Sequence, residues 1–253
     1  EWLSVRYHPQ GYWLMRYADG AVVPLPIPDA SLYQDKEKVA CDAYFHRYVP
    51  RFGDTVVHVG AGAGWEANLL SRLVGETGHA YLIEAHPRTF QWMLRRIEAS
   101  QLTNVTPIHI AVSDMACELH MTDDEDHMLN QVTMSGDIRV SAKTLEEIII
   151  SNGIQNVDLM TMNIEGAEQA AIQGLGSAAN RVKRFSISCH DFLADRGGPP
   201  STRTKAAVDR MLKNYGYDVF IRDITDHRDW TRDYLYAERK DIMEFDEQET
   251  LSH

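Results

Sequence analysis

Three closely spaced glycines stand between two apolar segments of this chain. Gly60, Gly62 and Gly64 follow the β-branched run TVVHV and precede residues with the apolar spacing of a helix. Glycine lets backbone N–H groups approach a ligand closely at the start of a helix. Glu84 ends the next apolar run, 20 residues after Gly64, where a carboxylate accepts the two hydroxyls of a ribose. The segment therefore predicts a βαβ unit that binds a nucleotide-like cofactor.

The residue after the glycines narrows the class of cofactor. The dinucleotide fingerprint G-x-G-x-x-G would place its third glycine at position 65, where the helix packs closely on the strand. That position is Trp65. A bulky indole disfavours a pyrophosphate and favours a cofactor that carries adenosine without phosphate, which indicates S-adenosyl-L-methionine. The alternative, a tight strand-to-helix turn without a ligand, does not account for Glu84.

Polar residues also follow two later predicted strands. Ser113 and Asp114 end the segment NVTPIHIAVSD, and Asn163 ends the buried run VDLMTMN. Carboxyl ends of parallel strands meet at one edge of a sheet, so Ser113 and Asp114 are expected near an adenine ring, although Asp114 equally suits a turn cap. The predicted cofactor-binding residues are Gly60, Ala61, Gly62, Gly64, Trp65, Glu84, Ala85, Ser113, Asp114 and Asn163.

The candidate catalytic residues follow from the chemistry of a sulfonium cofactor. Methyl transfer is an in-line displacement, which needs an aligned nucleophile and a base when that nucleophile is a hydroxyl. His190 follows the strand segment VKRFSISC at the same predicted edge, and histidine titrates near neutral pH. We therefore predict His190 as the base, with Asp191 beside it and Glu165 as the alternative. A purely hydrogen-bonding role for His190 and a helix-capping role for Glu165 remain open.

Acidic residues elsewhere do not lead to a metal prediction. Asn163, Glu165 and Asp191 would offer the oxygen ligands that suit magnesium, but their convergence is not a property of the sequence. The acidic run at residues 123–126 is typical of a solvated loop. We predict no metal site.

The order of elements predicts an α/β fold. Helical and strand patterns alternate after residue 54, and the final segments YDVFIRD and DYLYAERK read as an antiparallel hairpin. We expect a class I methyltransferase Rossmann-like fold, with a mostly parallel seven-stranded sheet and helices on both faces. Residues 51–253 would form this S-adenosylmethionine-binding domain.

Residues 1–50 are predicted to be an N-terminal extension. Aromatic and polar positions alternate in WLSVRY and GYWLMRY, which predicts a β-hairpin, and a helix is expected over residues 34–48. An aromatic hairpin suits a packed lid or a subunit contact, or it lines a substrate pocket. A homo-oligomer formed through this extension is therefore one expected partner, besides a small-molecule acceptor.

Several motifs together resemble one known family. VVHVGAGAG, YLIEAHP, HIAVSD, TLEEI and MNIEGAE are similar to motifs of the FkbM-type S-adenosylmethionine-dependent methyltransferases, over about residues 54–240. The resemblance implies methyl transfer, usually to an oxygen of a sugar, polyketide, lipid or other small metabolite. The chain departs from the pattern at His58 and Asn163, where the family carries Asp, and at Gly62, where it carries Asn. The first two changes each remove a carboxylate, and Asn163 cannot act as a base.

Composition limits the partners. The formal net charge is −12 and the pI is near 5.3, which repels nucleic-acid backbones, so no nucleic acid is expected. No apolar stretch approaches membrane-spanning length. Three widely spaced cysteines fit buried free thiols in a reducing compartment, so a cytoplasmic location is expected.

The sequence thus predicts an S-adenosyl-L-methionine-dependent methyltransferase that modifies a hydroxyl of a small metabolite. One alternative is a carboxyl methyltransferase, which needs no base at neutral pH. The other is a catalytically weak binding or scaffold protein, favoured by the changes at His58 and Asn163 and opposed by the intact IEGAE segment.

Overall fold

A computed structural model describes residues 2–29, 32–123, 132–133, 136, 138–222 and 228–241. The chain opens with an antiparallel three-stranded sheet in the order β1-β2-β3, followed by a helix. These elements are β1 (Trp2–His8), β2 (Tyr12–Tyr17), β3 (Val22–Leu25) and α1 (Leu32–Ala43). The predicted hairpin is therefore confirmed, with a third strand added. The helix ends at Ala43, earlier than the predicted residue 48, and the ring of Tyr44 just after it packs edge-on against His58.

The remaining elements alternate between strands and helices. They are β4 (Thr55–Val59), α2 (Ala67–Val74), β5 (His79–Glu84), α3 (Pro87–Ala99), β6 (Val105–His109), β7 (Ala111–Val112), β8 (Cys117–Met121), β9 (Val132–Thr133), β10 (Ile138–Lys143), α4 (Leu145–Ser151), β11 (Leu159–Asn163), α5 (Glu168–Gln173), β12 (Arg184–Ser188), α6 (Asp191–Asp195), α7 (Lys205–Asn214), β13 (Tyr217–Ile221) and β14 (Tyr234–Arg239).

A seven-stranded sheet carries the site. Its order is β13-β14-β12-β11-β4-β5-β6, and β14 alone runs antiparallel to both of its neighbours. This confirms the predicted class I methyltransferase fold, including the final hairpin. The strand order reverses beside β4, whose neighbours are β5 and β11, and open α/β sheets bind ligands at such a reversal, beyond the carboxyl ends of the strands.

Buried apolar residues cover both faces of the sheet. One cluster joins β11 and β12 to α4, α5 and α7. The other joins β4 and β5 to α2 and α3, and it includes Ala40, Ala43 and Tyr44 from the N-terminal segment. Helix α1 and the residue after it therefore share a core with the main sheet. A domain boundary at residue 50 stays a prediction.

The third strand differs from its prediction. The segment NVTPIHIAVSD was expected to form one strand, but β6 ends at His109, and β7 pairs with β10 in a separate sheet of order β7-β10-β8-β9. Ser113 continues away from the main sheet, because its N–H donates to the carbonyl oxygen of Lys143 at 3.0 Å.

Two further features bear on the expectations for membrane-spanning segments and for the cysteines. Within the described ranges, no helix is long and apolar enough to cross a membrane. Of the three cysteines, Cys189 is buried, Cys117 is half-buried and Cys41 is exposed. The expectation of buried thiols is therefore wrong for Cys41.

Candidate active site

A cavity of about 430 Å³ opens at the carboxyl edge of the seven-stranded sheet. Segments that follow β4, β5, β11 and β12 form its floor, α1 forms one wall, and residues before β14 form another. Lys36, Val39 and Ala43 are spaced by three and four positions, so one face of α1 looks into the cavity. The N-terminal extension therefore forms part of the site.

The glycine turn after β4 fits a ligand. A Cβ atom at Gly60 would lie 2.0 Å from the backbone oxygen of Asn163, so no side chain fits there. At Gly62, where φ is +56°, a Cβ atom would meet nothing within 4 Å. Both glycines line the cavity, as do Ala61 and Trp65. Gly60 therefore lets β4 approach β11, and Gly62 leaves open space for a ligand.

Glu84 ends β5 and stands where the sequence predicted it. One carboxylate oxygen accepts the Gly62 N–H at 2.9 Å, and the other accepts the His86 N–H at 2.7 Å. Burial raises the pKa of Glu84, while these backbone donors act in the opposite direction. Each carboxylate oxygen retains a lone pair, so Glu84, with Ala85 beside it in the cavity wall, can still accept ribose hydroxyls.

Three predicted cofactor residues do not line the cavity: Gly64, Ser113 and Asp114. A Cβ atom at Gly64 would lie 2.9 Å from Met93 of α3, so that glycine serves helix packing. Because β7 leaves the main sheet, the cavity wall near β6 is formed by Ile110, Ala111 and Val112 instead.

Trp65 joins the cavity to the N-terminal sheet. Its indole packs against a buried cluster that combines residues of that sheet, such as Tyr17, with Tyr33 of α1. On the indole face lies the guanidinium of Arg96, 3.9 Å from the ring centroid. Arg96 is almost fully buried, and burial lowers its pKa to about 10. Trp65 therefore lines the cavity, as predicted, and also connects the cavity to the N-terminal extension.

His190 lies between two carboxylates. Its Nδ1 is 2.7 Å from an oxygen of Glu168, and its Nε2 is 3.3 Å from an oxygen of Glu165. Burial acts to lower the pKa of His190, but hydrogen bonds and attraction from Glu165 and Glu168 outweigh it and raise this pKa to about 10. The imidazole is therefore charged at neutral pH in this arrangement, which favours a donor role over that of a free base.

Glu165 sits in strained backbone at the cavity. Its φ is +50°, one of two positive values at described residues other than glycine, and such a conformation is uncommon for glutamate. Glu165 and Asn163 both line the cavity. The turn holds because Glu168, at the start of α5, accepts the Gly166 N–H at 2.9 Å.

Glu168 was quoted within the IEGAE segment but was not predicted as a site residue. Its side chain is fully buried, and its second oxygen accepts the Thr204 hydroxyl at 2.7 Å. Because its partners His190 and Thr204 are distant in the sequence, only the motif itself could have pointed to this residue.

Asp191 is not brought to the cavity. One of its oxygens accepts the N–H groups of Thr204 at 2.9 Å and Lys205 at 3.0 Å, at the start of α7. This is the geometry of a helix cap. The structure gives Asp191 a positioning role instead of the predicted place beside the reacting atoms.

A group of polar residues that the sequence did not predict lines the other side of the cavity. Tyr44 and Tyr234 pack edge to face with ring centroids 6.1 Å apart, and Asn163 and Ser188 line the cavity with them. Burial raises the pKa of both tyrosines, so both remain neutral phenols. Aromatic residues at 44 and 234 were visible in the sequence, but nothing there placed them at the same edge of the sheet.

Comparison with known proteins identifies the family. Residues 58–219 match the methyltransferase FkbM domain. Among solved structures, the FkbM methyltransferase of Methylobacillus flagellatus is similar over 83% of this chain and 50% of that one, with 19% identity and a TM-score of 0.52. Aeropyrum pernix fibrillarin, solved with natively bound S-adenosyl-L-methionine, is similar over 94% of this chain and 98% of that one, with 13% identity and a TM-score of 0.48.

Curated relatives match only locally. A protein-L-isoaspartate O-methyltransferase of Fervidobacterium nodosum is 41% identical over 56 residues, which are 22% of this chain and 28% of that protein. The AMB antimetabolite synthetase AmbE of Pseudomonas aeruginosa is 27% identical over 103 residues, which are 40% of this chain and 5% of that protein. The match thus spans less than a third of either relative.

The glycine turn and the buried Glu84, which meet at the edge of the cavity, fit S-adenosyl-L-methionine as the cofactor. The FkbM match covers well over half of the chain and includes both the glycine turn and the IEGAE segment. The chain belongs to the methyltransferase FkbM family.

Proposed function

We propose that this methyltransferase methylates a hydroxyl group of a small acceptor. The observation that carries the proposal is the pair Glu165 and His190 in the cavity wall, beside the strand ends that hold the glycine turn. A carboxylate that reaches the cavity from strained backbone is suited to act on a bound acceptor.

One end of the cavity would bind the cofactor, and the other would bind the acceptor and take up its proton. Gly60, Ala61, Gly62, Trp65, Glu84, Ala85 and Asn163 would hold the cofactor. When bound, S-adenosyl-L-methionine supplies an electrophilic methyl group on a sulfonium. Glu165 would accept the hydroxyl proton as the acceptor oxygen bonds to the methyl carbon and the bond from that carbon to sulfur breaks, which leaves a neutral thioether. His190 would donate to Glu165 and fix its direction. The earlier prediction of His190 as base stays testable, but its raised pKa makes Glu165 the better candidate.

The local charge favours a neutral acceptor over a carboxylate. The imidazolium of His190 is already flanked by Glu165 and Glu168, so the group carries one net negative charge, which repels an anion. Phe192, Trp230 and Tyr234 add aromatic surface to the same part of the cavity. These residues favour a polyketide or lipid-like hydroxyl over a bare sugar.

The test begins with a screen of metabolites from the native source for a gain of 14 daltons, a single methyl group. For an alcohol acceptor, we expect Glu165→Gln to lower kcat by roughly 10²- to 10⁴-fold, the usual contribution of general base catalysis. The matched control is Glu98→Gln, since Glu98 is exposed and does not line the cavity.

Several outcomes would overturn parts of this proposal. Full turnover by Glu165→Gln, with loss of activity in His190→Gln, would return the base role to His190. A methyl ester product would indicate the carboxyl methyltransferase alternative. Saturable cofactor binding without turnover on any extract would favour the scaffold alternative. Homo-oligomerisation through the N-terminal extension and the absence of a nucleic-acid partner remain predictions.

A further inference from the structure

Three glutamate carboxylates line the described part of the cavity: Glu66, Glu84 and Glu165. Glu84 accepts the backbone donors described above, and Glu165 pairs with His190. Glu66 has no such assignment. It precedes α2 but makes no side-chain capping bond, and its side chain is 15% exposed. A mostly buried carboxylate in a cofactor cavity needs a reason, because an uncompensated charge is costly to bury.

His58 orients this carboxylate. Its Nε2 lies 3.5 Å from a Glu66 oxygen, and its Nδ1 lies 2.5 Å from the Thr161 hydroxyl on the neighbouring strand. When Thr161 donates to Nδ1, Nε2 carries the hydrogen and presents it toward the Glu66 carboxylate. Burial acts to raise the pKa of Glu66, but pairing with His58 outweighs it and lowers this pKa. Glu66 is therefore an anion at neutral pH.

The cofactor offers two positive groups to such an anion: the sulfonium and the α-ammonium of its amino-acid part. The methyl on the sulfonium has to face the acceptor beside Glu165. Glu66 instead directly follows the glycine turn, and its charge acts on Tyr44 at the end of α1. We propose that Glu66, oriented by His58, binds the α-ammonium group of S-adenosyl-L-methionine. This inference rests on the proposed function.

A role for Glu66 in binding the cofactor also accounts for the histidine at position 58. A histidine there removes a carboxylate from the end of β4, but it holds the carboxylate of Glu66 within the same cavity. The negative charge is relocated by a few residues instead of being lost. On this view, the His58 change is no sign of a weak or inactive enzyme.

Arg96 provides the rival explanation. Its buried guanidinium attracts Glu66, so Glu66 would serve only as a counterion of Arg96. A counterion stabilises the fold and the shape of the glycine turn, so its loss would lower the affinity for every ligand equally. If Glu66 instead binds the α-ammonium group, its loss weakens the binding of ligands that carry the amine and leaves the binding of ligands without it unchanged.

The experiment is a binding cycle by titration calorimetry. The two ligands are S-adenosylhomocysteine and its desamino analogue, which lacks only the amine. We expect the wild type to prefer the first by at least about tenfold, as a charge-assisted hydrogen bond provides. In Glu66→Gln this preference should fall to less than about threefold, and Glu66→Asp should restore part of it. Glu76→Gln, at an exposed position beyond α2, is the matched control.

Thermal denaturation shows whether each variant is folded, and the conservative Asp variant keeps the test valid if Gln destabilises the protein. Equal weakening of both ligands by Glu66→Gln would establish the counterion role and overturn the inference. An unchanged preference would do the same. Failure of the wild type to bind either ligand would overturn the proposed function as well, so the two failures are distinguishable.

Discussion

At the scale of single residues, the site depends on carboxylates held by exact partners. Glu84 could be found from the sequence because it follows its glycine turn at a fixed distance within one βαβ unit. Glu66 and Glu168 could not, since each takes its role from residues on other strands or helices. Asp191 was predicted as catalytic because it follows His190 directly in the sequence. In the structure its carboxylate caps the start of α7 instead.

The raised pKa of His190 gives a prediction for stability against pH. The folded pKa is about 10, above the unmodified value of 6.5, so the folded protein binds the proton more tightly. The folding stability gained from this tighter proton binding at His190 is fully present below pH 6.5 and is lost as pH rises through about 10. His190→Gln leaves the buried carboxylate of Glu168 and the half-buried one of Glu165 without their cation, which should lower Tm by roughly 5 to 15 °C at pH 6.

This difference in Tm from the wild type should shrink by more than half at pH 10, as measured by circular dichroism. His8→Gln in the N-terminal sheet is the control, because it removes a histidine without an ion pair among the described residues. A difference in Tm that stays constant from pH 6 to pH 10 would contradict the charged state of His190.

At the scale of elements, the sequence predicts strands and helices well where the signals are local. The capping box of Thr144 and Glu147 begins α4, and Pro87 stands in the first turn of α3. Prediction fails where pairing is non-local. The break between β6 and β7 depends on pairing with β10, about thirty residues later, and this break moves Ser113 and Asp114 out of the cavity.

The glycine turn gives a prediction with a built-in control. Gly60→Ala would place a Cβ atom 2.0 Å from the Asn163 oxygen at a φ of +77°, so the contact between β4 and β11 must open. We expect a Tm lower by several degrees and loss of cofactor binding. Gly62→Ala adds a methyl group to open space at a φ of +56°, which costs roughly 1 kcal/mol of backbone strain.

Gly62→Ala should therefore stay close to wild-type Tm, within about 2 to 4 °C, yet bind S-adenosylhomocysteine at least tenfold more weakly, because the methyl group occupies ligand space. Thermal denaturation and calorimetry on both variants separate the two effects. Wild-type affinity in Gly62→Ala would show that the cofactor does not approach this turn.

At the scale of the whole molecule, the N-terminal extension contributes two separate layers. The three-stranded sheet packs on Trp65 through a small cluster that also includes Tyr33 of α1. Helix α1 and the residues after it instead enter the main core and line the cavity. The sequence predicted the hairpin from its alternation but could not show that α1 belongs to the main core, because its apolar face has no visible partner in the sequence.

These two layers predict different results for two truncations. A chain starting at residue 29 loses the small sheet and exposes Tyr33 and Trp65, which that sheet covers. It should fold with a lower Tm and bind the cofactor more weakly. A chain starting at residue 51 also loses Ala40, Ala43, Tyr44 and Phe45 from the main core.

Removing a large buried side chain costs about 2 to 5 kcal/mol, and a whole domain is stable by only about 5 to 15 kcal/mol. The chain starting at residue 51 should therefore show no cooperative unfolding transition by circular dichroism, whereas the chain starting at residue 29 should keep one. A cooperative transition in the chain from residue 51 would support the domain boundary at residue 50. Loss of the transition in both chains would show that the small sheet is required for the main core to form.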